Sequence, residues 1–179
     1  RVALECGILT PGKTVVIGKM NNFGEVVWTD TSNDPVPFPS TDQLESGDIE
    51  LALSGGAWSA LRTADPKDAA KLASYVRVFG RCTPYTKLSV VETFVELGYV
   101  TLMSGDGGND AGALKAAHVG IALSEAEASI VAPFTSLDKE ISSVLDVLKE
   151  GRCALASALA TYKYITMYGQ IQTINQLSK

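Results

Sequence analysis

The sequence predicts an α/β fold in which helices flank a parallel β-sheet. Short apolar runs typical of buried strands occur at residues 76–79, 99–103 and 119–123. Between these runs, residues 84–97 and 110–117 carry apolar side chains at helical spacing. Strands and helices that alternate along a chain in this way form parallel sheets with right-handed crossovers.

The residues ahead of this pattern predict an antiparallel hairpin. Residues 2–9 have the composition of a helix end that stops near Gly7. Two β-rich runs follow at 14–18 and 25–28, and the turn sequence Asn-Asn-Phe-Gly lies between them at 21–24. We therefore expect two paired strands early in the chain.

The two remaining stretches differ in character. Residues 29–46 are rich in Ser, Thr, Asp and Pro, which indicates a surface loop. A further strand is predicted at 49–53 and a further helix at 66–73. An amphipathic pattern at 138–148, and a helical pattern that resumes after Gly151, predict that the chain ends in a long helix.

Bulk composition excludes several classes of protein. The 179 residues are 46% hydrophobic, which is too apolar for a disordered tail. A net charge of -5 without a Lys/Arg cluster argues against nucleic-acid binding. The cysteines Cys6, Cys82 and Cys153 are too widely spaced to indicate a disulfide framework or a zinc site, so we expect reduced thiols. No run approaches the ~18 apolar residues of a membrane span.

The string Gly105-Asp106-Gly107-Gly108-Asn109-Asp110 carries the strongest chemical pattern. It follows a predicted parallel strand, and ligands bind at the carboxyl ends of such strands. Two carboxylates with an amide between them suit Mg²⁺, and glycine allows the backbone to approach a ligand closely. The alternative is a polar turn in which Asp106 and Asp110 only cap backbone amides.

Three further residues are weighed against structural roles. Lys87 begins the helix after the neighbouring strand, so its ammonium group could neutralise a phosphate at the same edge; the alternative is a solvated surface lysine. His118, the only histidine, is expected to be structural. Asp30 ends an apolar strand and is a possible carboxylate nucleophile, although a Pro-rich loop follows it.

These motifs resemble those of the P-type ATPases. Pro84-Tyr85-Thr86-Lys87 is similar to the Pro-x-x-Lys of that family. Residues 105–115 are similar to its Gly-Asp-Gly-x-Asn-Asp string and the Ala-Pro-Ala-Leu-Lys that follows, except that Gly112 replaces the proline. Glycine at that position resembles class V. Stretches similar to the B branch of that class, which is linked to cation or polyamine transport, lie at 113–117, 123–129, 132–136 and 150–153.

The resemblance implies a fold and a set of roles. The phosphorylation domain of that family has the haloacid-dehalogenase-like (Rossmannoid) fold, of which this chain would hold an incomplete part. Asp106 and Asp110 would hold or support Mg²⁺, and Asn109 would contact phosphoryl oxygens. Lys87 would contact the transferred phosphoryl group, with Gly105 and Gly107 lining the same cofactor site.

The resemblance also divides the chain into four expected segments. Residues 1–28 would be the N-terminal part of the phosphorylation domain, and 29–74 a variable insertion. Residues 75–150 would be the core with the Mg²⁺ site, and 151–179 a stalk helix that leads toward the membrane. We expect the segment to be cytosolic within a multi-pass parent in a vacuolar, lysosomal or other endomembrane.

One family element does not occur in these residues. The phosphorylated aspartate of the family lies in an Asp-Lys-Thr-Gly-Thr string, and no such string is found here. The resemblance implies as partners the nucleotide-binding, actuator and membrane domains of the same pump, together with ATP and a transported cation or polyamine. We therefore expect a fragment that is inactive in isolation; a soluble phosphatase that uses Asp30 and a non-catalytic module derived from such a pump are the alternatives.

Overall fold

The computed structural model describes residues 2–123 and 130–178 and contains two β-sheets. The first sheet has four strands in the order β2-β1-β3-β4. Strands β1, β3 and β4 are parallel, and β2 runs antiparallel at the edge as the second strand of the predicted hairpin. The strands are β1 (Thr14–Met20), β2 (Val26–Thr29), β3 (Ile49–Ser54) and β4 (Val76–Gly80).

The second sheet is smaller and entirely parallel. Its three strands lie in the order β5-β6-β7. They are β5 (Leu102–Gly105), β6 (Val119–Ala122) and β7 (Phe134–Thr135). Residues 124–129, which belong to one of the stretches that resemble class V, lie outside the described residues.

The helices connect and flank these strands. Helix α3 packs on the first sheet and against α4 and α5, and α5 packs in turn against α6 of the second sheet. The two sheets are thus joined through the contact between α5 and α6. The helices are α1 (Val2–Glu5), α2 (Thr41–Glu45), α3 (Gly55–Ala64), α4 (Pro66–Ala73), α5 (Pro84–Glu96), α6 (Ala111–Ala116) and α7 (Ser143–Leu177).

The main hydrophobic core lies under the first sheet. Trp58 of α3 is fully buried there, together with Leu51 and Leu53 of the central strand β3. The second sheet has a much smaller buried cluster around Leu114 and Ala122. The fold class expected from the sequence, α/β with parallel strands, flanking helices and a long final helix, is confirmed.

We expected the strands after residue 75 to lie in one sheet, and this was wrong, because they are divided between the two sheets. Strand β4 pairs with β3 of the first sheet, whereas β5 pairs with β6 of the second. Within the described residues, no strand pairs with the other edge of β4 or of β5. The helical spacing of α5 predicted a crossover correctly, but spacing alone does not tell which strands become neighbours.

The strand predicted at 99–103 begins later than expected, because a helix cap uses its first residues. Gly98 adopts a φ of 83°, and its amide donates to the carbonyl of Val95 at 2.9 Å. The amide of Tyr99 donates to the carbonyl of Phe94 at 3.0 Å. This pair of bonds is the Schellman pattern that ends α5, so the extended backbone of β5 starts only at Leu102.

Helices were also underestimated at two places. Helix α3 was not predicted, although Ser54 caps it by accepting a hydrogen bond from the amide of Ala57 at 3.3 Å. Helix α7 is one continuous element of 35 residues rather than two patterns separated near Gly151, and none of its residues is buried. Even so, no helix in the described part of the chain combines the length and apolar character needed to cross a membrane.

Candidate functional site

Two strand ends carry the residues that the sequence singled out. Strand β4 ends at Gly80, and the chain then turns through Arg81, which has a φ of 52°, toward α5. Strand β5 ends at Gly105, and the acidic string begins directly after it. Both segments therefore follow the carboxyl ends of parallel strands, which is the edge of an α/β sheet where ligands bind.

A local cap fixes the start of α5. The side chain of Thr83 accepts a hydrogen bond from the amide of Thr86 at 3.2 Å, and the two threonine hydroxyls are 2.8 Å apart. Pro84 occupies the first turn, where its missing N–H costs nothing. Thr83 was not among the predicted site residues, although a Thr-Pro pair ahead of a helical pattern is a recognisable cap sequence. This cap sets the position of Lys87 one turn into the helix.

Lys87 and Asp110 form an ion pair that joins the two halves of the structure. The Nζ atom of Lys87 lies 2.6 Å from Oδ1 of Asp110. The Asp110 side chain is only 10% exposed, whereas that of Lys87 is 35% exposed. A charge-assisted hydrogen bond at this distance holds the carboxylate against the lysine, whose side chain stays partly open to solvent. The structure thus brings together two predicted site residues that are 23 positions apart.

The backbone around Asp110 leaves little space. The amide of Asp110 donates to the carbonyl of Gly107 at 2.9 Å, within a short 3₁₀ turn at Gly108–Asp110. A Cβ atom added to Gly105 would lie 2.7 Å from both Cβ and Oδ2 of Asp110. The site therefore needs glycine at 105, whereas a Cβ atom added to Gly107 would lie no closer than 3.9 Å to any atom beyond its chain neighbours.

Asp106 and Asn109 differ from Asp110 in their surroundings. Both are exposed; Asp106 follows β5 directly, and Asn109 lies in the 3₁₀ turn. Asp110 is buried and neutralised by Lys87, so Asp106 is the freer carboxylate of the two. This donor set fits Mg²⁺, which takes one or two protein carboxylates and fills its other positions with water and phosphate oxygens. Among the described residues there is no group of three or more acidic, histidine or cysteine side chains that could hold a metal.

Cys82 lies close to this site, although no role there was predicted for it from the sequence. Burial raises the pKa of its thiol, and the positive charge of Lys87 offsets part of that rise. Its Sγ donates weakly to the carbonyl of Gly80 at 3.8 Å. A thiol held in the neutral form in this way packs the turn ahead of α5 and is a poor nucleophile. Cys6 and Cys153 are exposed and, like Cys82, not in disulfides.

Asp30 and His118 are used locally. Oδ1 of Asp30 accepts the amides of Ser32 and Asp34 at 2.8 and 2.9 Å, which closes a turn. Because β2 runs antiparallel to β1, Asp30 lies toward the amino end of β1, away from the edge that carries Lys87. Nδ1 of His118 accepts the amide of Thr101 at 3.2 Å, in line with the structural role expected for it.

Sequence reasoning also missed a network that holds α5 in place. Trp58 Nε1 donates to Oγ of Ser89 at 3.1 Å, and Arg62 Nη1 donates to the carbonyl of Ser89 at 2.7 Å. Arg62 also donates to Thr93 and lies 3.6 Å from Glu96. These bonds fix α5 to α3, and so fix Lys87 relative to the first sheet. Helical spacing places these residues on one face but does not identify their partners.

Three relatives of this chain are cation- or polyamine-transporting ATPases. The chain is 44% identical over 139 residues to the human probable cation-transporting ATPase 13A5, covering 77% of this chain and 11% of the relative. It is 43% identical over 140 residues to the mouse polyamine-transporting ATPase 13A2, covering 78% of this chain and 12% of the relative. A chicken probable cation-transporting ATPase 13A4 is 34% identical over 193 aligned residues, covering 98% of this chain and 16% of the relative.

Other comparisons add less. The chain spans only 11% to 16% of the length of these three relatives. No protein-family model matches it. A solved catalytic domain of the CPx-ATPase CopB-B is similar at a TM-score of 0.39 and 21% identity, covering 74% of this chain and 56% of that domain. The sequence relatives and the motifs at Lys87 and 105–115 agree: the chain is a segment of a protein that belongs to the P-type cation-transporting ATPases of class V.

Proposed function

We propose that the chain forms half of the phosphoryl-transfer site of an ATP-driven membrane pump. In this proposal, Asp106 holds Mg²⁺, Asp110 supports that position through its bond to Lys87, and Asn109 contacts phosphoryl oxygens. Lys87 neutralises charge on the transferred group, while Gly105 and Gly107 let the backbone approach it. The parent protein would hydrolyse ATP through an aspartyl-phosphate and move a cation or polyamine across an endomembrane, with this segment on the cytosolic side.

The observation that carries the proposal is the 2.6 Å contact between Lys87 Nζ and Asp110 Oδ1. Lys87 therefore differs from a fully solvated surface lysine, because its ammonium group lies against a carboxylate that is only 10% exposed. The contact brings a cation from the end of β4 and a carboxylate from the end of β5 to one place, beside the exposed groups of Asp106 and Asn109. Transfer of a phosphoryl group depends mainly on such positioning of opposite charges.

The proposal assigns the covalent step to residues outside these 179. No Asp-Lys-Thr-Gly-Thr string occurs in the sequence, and the other candidate nucleophile, Asp30, is engaged in a turn away from Lys87. We therefore expect no acid-stable label when the isolated chain is incubated with radioactive ATP and Mg²⁺. Labelling that persists in Asp30→Asn would point to an acceptor that this proposal lacks, and labelling lost in Asp30→Asn would favour the soluble phosphatase.

The sharpest test transplants the half-site into a complete pump. Residues 76–123 replace the homologous segment of the mouse polyamine-transporting ATPase 13A2, and aspartyl-phosphate formation from ATP is measured. We expect the chimera to be labelled in the presence of Mg²⁺. Lys87→Ala and Asp106→Asn should each reduce the labelling rate by about 10²-fold or more, because each removes a charge aimed at the transferred group.

A matched control separates these roles from general damage. Glu92→Ala removes an exposed charge from α5, the helix that carries Lys87, and should label like the unmodified chimera. A chimera that carries Asp106→Asn and still labels at the full rate would contradict the magnesium role and favour a non-catalytic module. A correctly folded chimera that never labels would contradict the whole assignment.

A further inference from the structure

A cavity of about 800 Å³ lies on the first sheet, separate from the Lys87 site. Its lining comes from β2, the loop after it, α2, α3, α4 and the end of α5, and it includes no residue of 80–87 or 105–110. Tyr75 of the lining comes directly before β4 begins, and Leu97 and Tyr99 follow the end of α5. The cavity therefore lies toward the amino ends of the parallel strands, opposite to Lys87 and Asp110.

The walls are predominantly aromatic and aliphatic. Four aromatic residues from separate segments line them: Trp28, Phe38, Tyr75 and Tyr99. The Trp28 and Phe38 rings have centroids 4.8 Å apart, and Phe38 and Tyr99 remain 49% and 52% exposed. Large aromatic surfaces that stay open to a cavity of this size suit the apolar body of a small molecule.

Negative charge predominates at the mouth. Among the residues that the structure describes, Asp65, Asp68 and Lys71 are the charged ones in the lining. Lys71 Nζ lies 3.5 Å from Asp68 Oδ1, so this lysine is already paired with a carboxylate. Asp65 accepts the amides of Lys67 and Asp68 through Oδ1, and Oδ2 takes part in neither bond. Glu45 Oε1 accepts the hydroxyl of Tyr75 at 3.5 Å and adds a third carboxylate beside the wall.

We propose that this cavity binds an amphiphilic amine, that is, a small molecule with an aromatic or aliphatic body and a protonated amino group. The body packs between Trp28, Phe38 and Tyr99. The ammonium group lies at the mouth, where it meets the carboxylate of Asp65 and the faces of the aromatic rings. The same surface disfavours carboxylate-bearing molecules, because Lys71 is paired with Asp68 while the carboxylates of Asp65 and Glu45 add negative charge beside them. The proposal is independent of the phosphoryl-transfer site, since the two share no residue.

The test compares three probes with similar bodies and different charge on the full chain. Phenethylamine, phenethyl alcohol and hydrocinnamate are titrated while the fluorescence of Trp28 is followed, with Trp58 fully buried outside the cavity lining. We expect the amine to bind about three- to tenfold more tightly than the alcohol, and the carboxylate to bind most weakly. Equal affinities, or no binding of the amine, would overturn the proposal.

Variants then assign the preference to the mouth and the walls. The double variant Asp65→Asn, Asp68→Asn keeps an oxygen to cap α4 and should abolish the preference for the amine while the alcohol binds as before. Ala64→Phe, at an exposed lining position, should weaken all three probes about fivefold or more, whereas its exposed neighbour Thr63→Phe, outside the lining, should change none. Should Ala64→Phe lower the melting temperature, Ala70→Leu serves in its place. A preference for the amine that survives in the double variant would contradict the role of these carboxylates.

Discussion

The two sheets of this chain differ in how well they are supported. Among the described residues, the first sheet and its helices enclose a cluster of nine buried hydrophobic residues, and the second encloses a cluster of two. The residues of the proposed phosphoryl-transfer site lie where the two sheets meet, because Lys87 belongs to the segment after β4 and Asp110 to the segment after β5. We call the first sheet with its packed helices the first unit, and the second sheet with α6 the second unit. The difference indicates that the first unit is stabilised by its own core, while the second unit depends on the contact between α5 and α6 and on the ion pair.

The largest expected effect tests the stronger unit. Trp58→Ala removes a fully buried ring and its bond to Ser89, and should lower the free energy of unfolding by about 3–5 kcal/mol. Amide hydrogen exchange at β1 and β3 measures this loss. Because Ser89 anchors α5, the exchange of β5 and β6 should also become faster. Tyr85→Ala, which truncates a side chain that is 76% exposed, serves as the control and should leave both sheets unchanged. Faster exchange in β5 and β6 alone would reverse the comparison.

The next effect tests the join between the two units, that is, the α5–α6 contact together with the Lys87–Asp110 ion pair. Gly105→Ala places a Cβ atom 2.7 Å from the Asp110 side chain, so this side chain must shift from its position against Lys87 or the backbone must give. We expect a cost of about 1–3 kcal/mol, confined to the second unit and measured by the exchange of β5 and β6 amides. Gly107→Ala is the matched control, since its added Cβ atom would lie 3.9 Å from the amide nitrogen of Asn109 and the φ of Gly107 is -135°. Equal costs for the two variants would mean that the close approach at 105 has no special role.

A third prediction concerns the first unit and pH. Glu50 on β3 is 5% exposed and accepts the Thr10 amide and hydroxyl, each at 2.8 Å. The bond from the Thr10 amide holds the pKa of this carboxyl below its usual value of 4.5, although burial acts in the opposite direction. The carboxyl therefore contributes stability that is fully present above its unfolded-state pKa and is lost as pH falls through the lower folded-state pKa.

Urea unfolding at a series of pH values measures this contribution. Glu50→Gln should lose about 1–2 kcal/mol at neutral pH and should show a flatter decline between about pH 5 and pH 3 than the unmodified chain. The exposed Glu92→Gln should keep the original decline. An unchanged decline in Glu50→Gln would show that the link between Thr10 and the central strand is not what acid disrupts.

The sequence predicted the parts of the site but not their contact. Lys87 and the acidic string were each placed at a strand end, because the apolar runs before them are unambiguous. Their ion pair depends on the packing of α5 against α6. The spacing of apolar residues along one helix does not predict which other helix it packs against. Helix α3 was missed because Gly55 and Gly56 open it, and glycine is a poor indicator of a helix start. Likewise, the late start of β5 follows from the glycine cap at Gly98, which an apolar run alone does not reveal.

The smallest effect has the opposite sign and sharpens the comparison most. Gly112 lies in the first turn of α6, and a Cβ atom there would lie 3.8 Å from Leu88 of α5, an ordinary van der Waals contact. Gly112→Ala should therefore stabilise the second unit by about 0.5–1 kcal/mol, through lower backbone entropy in the unfolded chain and added contact across the join. The gain should appear as slower exchange in β5 and β6, with β1 and β3 unchanged. Gly151→Ala is the matched control, because this helical glycine has no atom within 4 Å of its added Cβ, so its gain should stay within α7. A loss of stability in Gly112→Ala would mean that the join between α5 and α6 is already too tight for a methyl group, and that the weaker unit is limited by its small core rather than by its attachment.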